Sequence, residues 1–246
     1  MLHALEPGHN AQAPEAVEFT RALQRLMLGD ALLSPLSLIS ANPEVGDGGP
    51  HSDERFDDAD VPYLWADGIH LGAGPRGERR VLLLVLGANG EGKRRIVELR
   101  CVGAETEAAW LALFRDLRSR GLRTPGLIVA DGTAGFWRAV KHVFPESAQQ
   151  WCWLHVERQL LSNLTGIARS GALTALRGIA AAAGEDEART RIAALAKDLQ
   201  ADAPFVAASL REEMDRLVAY LRFDPRIRVT LRTTHAVEAV FLPVAV

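Results

Sequence analysis

The feature that most constrains this chain is a change of hydrophobic period part-way along it. Between Val61 and Val102 the apolar residues fall in short runs bounded by turn residues, which is the signature of strands. The first run is Val61–Leu71. The second is Arg79–Gly87, with the apolar stretch Val81–Leu86 at its centre. In the third, Arg94–Val102, the apolar positions are Ile96, Val97, Leu99 and Cys101. The second and third runs are joined across Asn89-Gly90, a dipeptide that favours a tight hairpin, so the three strands are expected to form an antiparallel meander. From Glu105 the period becomes helical. Trp110, Leu113, Phe114 and Leu117 share one face, Arg118 and Arg120 lie in the last turn, and Gly121 follows as a terminator. A short buried strand, Gly126–Ala130, then ends at Asp131. Gly135–Phe144 reads as a helix stopped by Pro145, and Ala148–Trp153 as a fifth strand. Val156–Tyr220 is helical by composition, punctuated by Pro204 and by Gly166, Gly171 and Gly184. A meander followed by alternating helix and strand predicts an α/β fold, a mixed sheet with helices on its faces. The pattern leaves the strand order open.

Before Val61 the chain is less specified. Glu15–Leu28 has the spacing of an amphipathic helix and Leu33–Ser40 is a short apolar segment. Ala41–Asp60 is rich in Gly, Asp, Pro and Ser, as a linker or disordered stretch is. With 246 residues, 48% of them hydrophobic, the chain can bury a substantial core. Its formal charge of −3 excludes a polycation, so nucleic-acid binding would need a local basic surface. Two cysteines, Cys101 and Cys152, are too few for a disulfide scaffold. The longest apolar run, Val81–Ala88, falls short of the ~20 residues of a spanning helix, and Met1–Asn10 lacks the pattern of a secretory signal. A cytoplasmic protein without membrane partners is expected.

Three acidic residues carry the chemistry. Asp67 sits inside the apolar strand Tyr63–His70, where a carboxylate is expensive to bury unless it is paired or metal-bound. Asp131 ends the run Leu127–Ala130, and ligand groups in open sheets gather at the carboxyl ends of strands. Carboxylates on neighbouring strands suit hard cations such as Mg²⁺. Glu238, near an expected helix start, is a candidate third ligand. Two divalent ions held this way activate an attacking oxygen and stabilise the leaving oxygen of a phosphodiester. The bland alternative is that an Asp before Gly is a turn residue or a helix cap, and that Glu238 belongs to a solvated helical face.

Five stretches resemble the bacterial Mutator-type insertion-sequence transposases, in order and separation: Tyr63–His70 (YLWADGIH), Val129–Trp137 (VADGTAGFW), Val143–Glu146 (VFPE), Cys152–His155 (CWLH) and Leu231–Glu238 (LRTTHAVE). The resemblance covers about residues 61–240. It implies a ribonuclease H-like core over residues 61–155 and an all-helical insertion over 156–221. A basic segment and shortened last core helix would occupy 222–246, and residues 1–60 would be an N-terminal remnant. It implies Asp67, Asp131 and Glu238 as the catalytic acidic triad, two Mg²⁺ or Mn²⁺ ions, and transposon-end and target DNA as substrates. It further implies a homo-oligomer when active, and marks Cys152 and His155 as a family signature. The sequence departs from the pattern in having His235 where the family has Asn. It also departs in its last residues, Phe241–Val246, where Pro243 would break a helix. A truncated copy is therefore expected, and with it a second reading: a folded but inactive remnant that binds DNA or a full-length partner. A third reading is a nuclease that hydrolyses without joining.

Other signals carry less. Cys152 and His155 have a metal-like spacing, but structural zinc needs four ligands and no second Cys/His pair accompanies them. Gly72–Gly77 matches a dinucleotide fingerprint yet precedes a strand, so a hairpin turn is the better reading. Trp137, Trp151 and Trp153 have the chemistry to stack on bases, with core packing as the default. Arg222, Arg226, Arg228 and Arg232 form a basic stretch suited to phosphate contacts, against the alternative of a solvated loop. Glu185, Asp186 and Glu187 read as an exposed helix start.

Overall fold

The computed structural model of the chain describes residues 55–71 and 80–238, the side chains of Leu71, Ala236 and Glu238 excepted. The expected helix Glu15–Leu28, the segment Leu33–Ser40, the Gly72–Gly77 loop and the residues after Glu238 lie outside the described residues. Five strands, β1 (Tyr63–Leu71), β2 (Arg80–Ala88), β3 (Arg94–Val102), β4 (Leu127–Ala130) and β5 (Ala148–Trp151), form one mixed sheet in the order β3-β2-β1-β4-β5. The expected meander is there: β1 pairs antiparallel with β2, and β2 with β3. β4 and β5 add to the other side of β1 as parallel strands.

Helices cover both faces. α1 (Glu107–Ser119) and α2 (Ala134–Val143) lie on one, where Trp110, Leu113, Phe114, Phe136 and Val140 pack against Leu64, Ala66, Leu83, Val85 and Ile128. On the other lie α3 (Trp153–Ser162), α4 (Gly166–Ala180), α5 (Glu185–Asp198), α6 (Pro204–Glu212) and α7 (Met214–Val218). A 3₁₀ turn (Ala219–Arg222) and two short helices, α8 (Arg228–Leu231) and α9 (His235–Glu238), complete it. Their apolar sides share a continuous core with Trp65, Leu82, Leu84, Leu86, Leu127 and Val129. Burial on both faces explains why Val81–Leu86 is apolar throughout rather than alternating. A bulge opposite Val85 and Leu86 leaves Val97 unpaired, so Val97 and Leu99, two residues apart, enter opposite cores.

Two boundaries differ from the sequence expectation. Helix α1 starts at Glu107, because the Thr106 hydroxyl accepts from the Ala109 N–H at 3.1 Å and caps it. Glu105 is thereby left outside the helix. The fifth strand ends at Trp151, where the Cys152 N–H closes the pairing on the Ala130 carbonyl at 2.7 Å. Trp153 opens α3, whose buried Trp153, Val156 and Leu160 have helical spacing, so Trp151 and Trp153 do not share a strand face. Trp137 and Trp153 are core residues, as the default reading held. Among the described residues no helix is long and apolar enough to cross a membrane.

Candidate active site

The register of β1 against β4 pairs Trp65 with Val129. Two residues further along each strand stand Asp67 and Asp131, and two residues restore the same face. Both therefore project on the side occupied by α3 and α9, Asp67 from the middle of β1 and Asp131 from just past the carboxyl end of β4. Burial first, and the charge of Asp131 second, push the Asp67 carboxyl up to about 6, with the His155 imidazole opposing the shift. This is the field of a site short of positive charge. Asp131 also has the turn role of the bland reading, since its Oδ1 accepts from the Thr133 N–H at 3.2 Å. Both roles coexist.

The turn after β4 is held tightly. Gly132 has φ +96°, a conformation that L side chains rarely adopt, and a Cβ there would overlap the Trp151 indole. The same indole donates its Nε1–H to the Asp131 carbonyl.

Glu238 ends α9, which packs against β1 and β2 and buries Val237 completely. The helix thus lies on the face that carries the two aspartates. Among the described residues no three His, Cys, Asp or Glu side chains are gathered as a metal-binding group. The described side chains supply a pair.

Cys152 and His155 stand beside that pair. Burial pushes the Cys152 thiol up, but hydrogen bonding with His155 and Thr234 outweighs it and holds the thiol below its usual range. The His155 imidazole is raised chiefly by hydrogen bonding with Cys152, against burial, with the charges of Asp67 and Asp131 adding to the effect. The signature pair therefore places a cation-prone group facing the acids.

Sequence reasoning missed Glu105. Its carboxylate fills the space over Gly68, where a Cβ would overlap it, and accepts from the Trp110 Nε1–H at 2.9 Å. Burial raises its carboxyl, and Asp131 adds to the shift. A cleft of about 330 Å³ opens beside it on the α1–α2 face, lined by His70, Thr106, Thr133 and Phe136 among others, though by neither aspartate. Only the Gly68 vacancy hinted at this contact in the sequence.

The four arginines all have partners within the chain. Arg222 pairs with Glu185 at 3.0 Å and Arg226 with Asp224 at 2.6 Å. Arg228 donates to the Phe223 and Ala183 carbonyls, and Arg232 to the Ala180 carbonyl at the end of α4. Glu185 is thus more than an exposed helix start, since it also binds Arg189. Arg226 keeps 87% of its side chain exposed.

Comparison with known proteins shows the family. Residues 49–242 match the family model described as Transposase, Mutator family. The transposase for insertion sequence element IS6120 of Mycolicibacterium smegmatis is 32% identical over 228 residues, covering 92% of this chain and 71% of its own length. The transposase for insertion sequence element IST2 of Acidithiobacillus ferrooxidans is 36% identical over 173 residues, 69% of this chain and 58% of its own length. A third, for insertion sequence element ISRM5 of Rhizobium meliloti, is 27% identical and matched over 40% of its length. The chain therefore spans between about two fifths and seven tenths of these relatives. With the match extending over most of the residues, the chain belongs to the Mutator family of transposases.

Proposed function

We propose that this chain is the catalytic core of a DNA transposase. It would cut strands at transposon ends and join the freed 3′-hydroxyl to target DNA, on a sheet of ribonuclease H-like type. The observation that carries the reading is the placement of Asp67 and Asp131 at matching positions on adjacent parallel strands, with the helix bearing Glu238 packed on the same face. The strand order β3-β2-β1-β4-β5, with β2 alone reversed, supports the fold assignment.

The donor set fits divalent cations. Asp67 is half-buried and its carboxyl is raised by burial and by the charge of Asp131, a cost that a cation would compensate, and all-oxygen donors suit Mg²⁺ or Mn²⁺. Asp67 and Asp131 would hold the ions, with Glu238 as the third ligand. When bound, two such ions neutralise a scissile phosphate and favour ionisation of the attacking hydroxyl. Asp67 and Asp131 supply the fixed negative charge, on backbone that sheet pairing and the Trp151–Asp131 bond make rigid. His155 contributes positive charge beside them. Arg226, with Arg222, Arg228 and Arg232 behind it, offers a basic rim for DNA phosphates. Activity as a homo-oligomer is part of this reading.

The test uses the full chain with duplex DNA carrying the element's terminal repeats and Mg²⁺ or Mn²⁺. Strand cleavage followed by joined products is expected, abolished by Asp67→Asn and by Asp131→Asn. Cleavage that survives both substitutions overturns the assignment. DNA binding without metal-dependent cleavage favours the inactive remnant, and cleavage without joining favours a nuclease.

A further inference from the structure

The sulfur of Cys152 is completely buried, and two donors converge on it. The Thr234 backbone N–H reaches it at 3.2 Å and the Thr234 hydroxyl at 3.3 Å. A buried cysteine ordinarily behaves as a small apolar side chain. Here it is an acceptor for a main-chain amide at the start of a helix, one of the groups a helix cannot satisfy internally. Thr234 is itself fully buried, so water does not replace the sulfur.

What the sulfur joins matters more than the bonds. Cys152 donates its own N–H to the carbonyl of Ala130, the residue before Asp131. Thr234 immediately precedes α9, which ends at Glu238. One residue therefore ties the strand end carrying Asp131 to the helix carrying Glu238. Two further bonds guide the same segment to its place. The Trp153 N–H donates to the Arg232 carbonyl at 3.0 Å, and the Trp65 Nε1–H to the Thr230 carbonyl at 3.2 Å. They fix the approach of the chain, whereas the sulfur fixes the first residue of the turn.

We infer that Cys152 is a positioning residue: by accepting hydrogen bonds from Thr234 it sets the Glu238 helix against the Asp67–Asp131 pair. The inference rests on the reading of these acids given above. Without the sulfur, the Thr234 amide and hydroxyl are left buried and unpaired, and a buried unpaired donor is costly enough to displace a helix of one turn. A serine hydroxyl at this position still accepts from Thr234 with a shorter reach, so it restores part of the arrangement.

The experiment measures two things on the full chain: Mn²⁺ binding by titration, and amide hydrogen exchange of residues 234–238. Cys152→Ala is expected to weaken Mn²⁺ binding at least fivefold and to speed exchange in that segment, with Cys152→Ser between it and the wild type. The double variant Cys152→Ala/Glu238→Gln is expected to bind no more weakly than the weaker of the two single variants, because both changes act through one group. Wild-type exchange in Cys152→Ala, or effects that multiply in the double variant, overturns the inference. Where Cys152→Ala does not fold, Thr234→Val removes one of the two donors and is read the same way. If Asp67→Asn leaves Mn²⁺ binding intact, the metal reading fails, and the exchange measurement alone decides whether Cys152 sets the helix.

Discussion

The Trp151 indole occupies the space where Gly132 would carry a side chain, and from there it donates to the Asp131 carbonyl. A single aromatic ring thus fixes the turn that follows β4 and the backbone of a candidate catalytic acid. Gly132→Ala is expected to destabilise the protein by about 2–4 kcal/mol, combining overlap with the indole and a left-handed φ. Trp151→Phe loses the hydrogen bond and part of the ring's packing but no backbone conformation, and is expected to cost about 1–2 kcal/mol. Urea unfolding of both variants at neutral pH checks the ranking, and equal losses would contradict it.

Asp67 gives a stability prediction with a definite sign. Its carboxyl is raised to about 6 in the fold from an ordinary value of 3.8. Between those values the folded state binds more protons than the unfolded state, so stability falls as pH rises through the window. Above about pH 6 the full cost is present. Asp67→Asn removes that cost. Without divalent ions at pH 7.5 the variant is expected to be more stable than wild type by about 1–3 kcal/mol, and the gain should largely vanish at pH 4. Thermal unfolding in chelator at both pH values measures it. Added Mn²⁺ should narrow or reverse the gap, because only the wild type gains a bound cation.

Glu98, Arg100, Asp116 and Arg120 form a cluster under α1, with Glu98 and Arg100 on β3, two strands across the sheet from Asp67. Arg100 meets Asp116 at 2.9 Å and Glu98 at 3.6 Å, Arg120 meets Asp116 at 3.1 Å, and Arg120 also bonds Glu98. The Glu98 side chain is almost wholly buried, and burial raises its carboxyl despite both guanidiniums. Glu98→Ala removes one of the two carboxylates shared by two buried guanidiniums, leaving them Asp116, and is expected to cost about 2–4 kcal/mol. Arg115→Ala, on the exposed side of α1, is expected to change stability by less than about 0.5 kcal/mol. Denaturant titration separates the two outcomes.

The basic segment divides by partner. Arg226 is mostly exposed and bound only locally to Asp224, whereas Arg222 bridges to Glu185 on α5. Arg226→Ala is expected to leave stability within about 0.5 kcal/mol and to lower the salt dependence of DNA binding by about one ion. Arg228→Ala frees two carbonyls, and a stability loss of about 1 kcal/mol is expected. DNA affinity measured against salt, beside melting curves, tests both.

The strands were legible because a sheet buried on both faces must write its interior as continuous apolar runs, as Val81–Leu86 does. The position of Asp131 followed from the end of such a run. That Asp67 lies beside it required the pairing of β1 with β4, which no local pattern encodes. The boundary at Cys152 was misplaced because Trp151 and Trp153 satisfy an alternating period and Trp153, Val156 and Leu160 a helical one. Glu98 and Arg100 share a face at strand spacing, and Asp116 and Arg120 stand one helical turn apart, so each half of the cluster looked like ordinary surface charge. Glu105 gave no signal, since its contact depends on a missing side chain at Gly68, on another element. The arginines read as a basic stretch, while Arg222, Arg228 and Arg232 reach partners 37, 45 and 52 residues away, at Glu185, Ala183 and Ala180.

The bond between the Trp153 N–H and the Arg232 carbonyl has a consequence for how this architecture tolerates change. It means that the chain departs from the sheet and comes back to it at neighbouring points. Whatever is threaded between those points imposes no spacing on the strands. Segments of quite different size or surface can be exchanged there, provided that they bury the apolar side they turn to the sheet. The sheet that carries Asp67 and Asp131 and the helices α3–α7 are thus joined where the outgoing and the returning chain lie side by side.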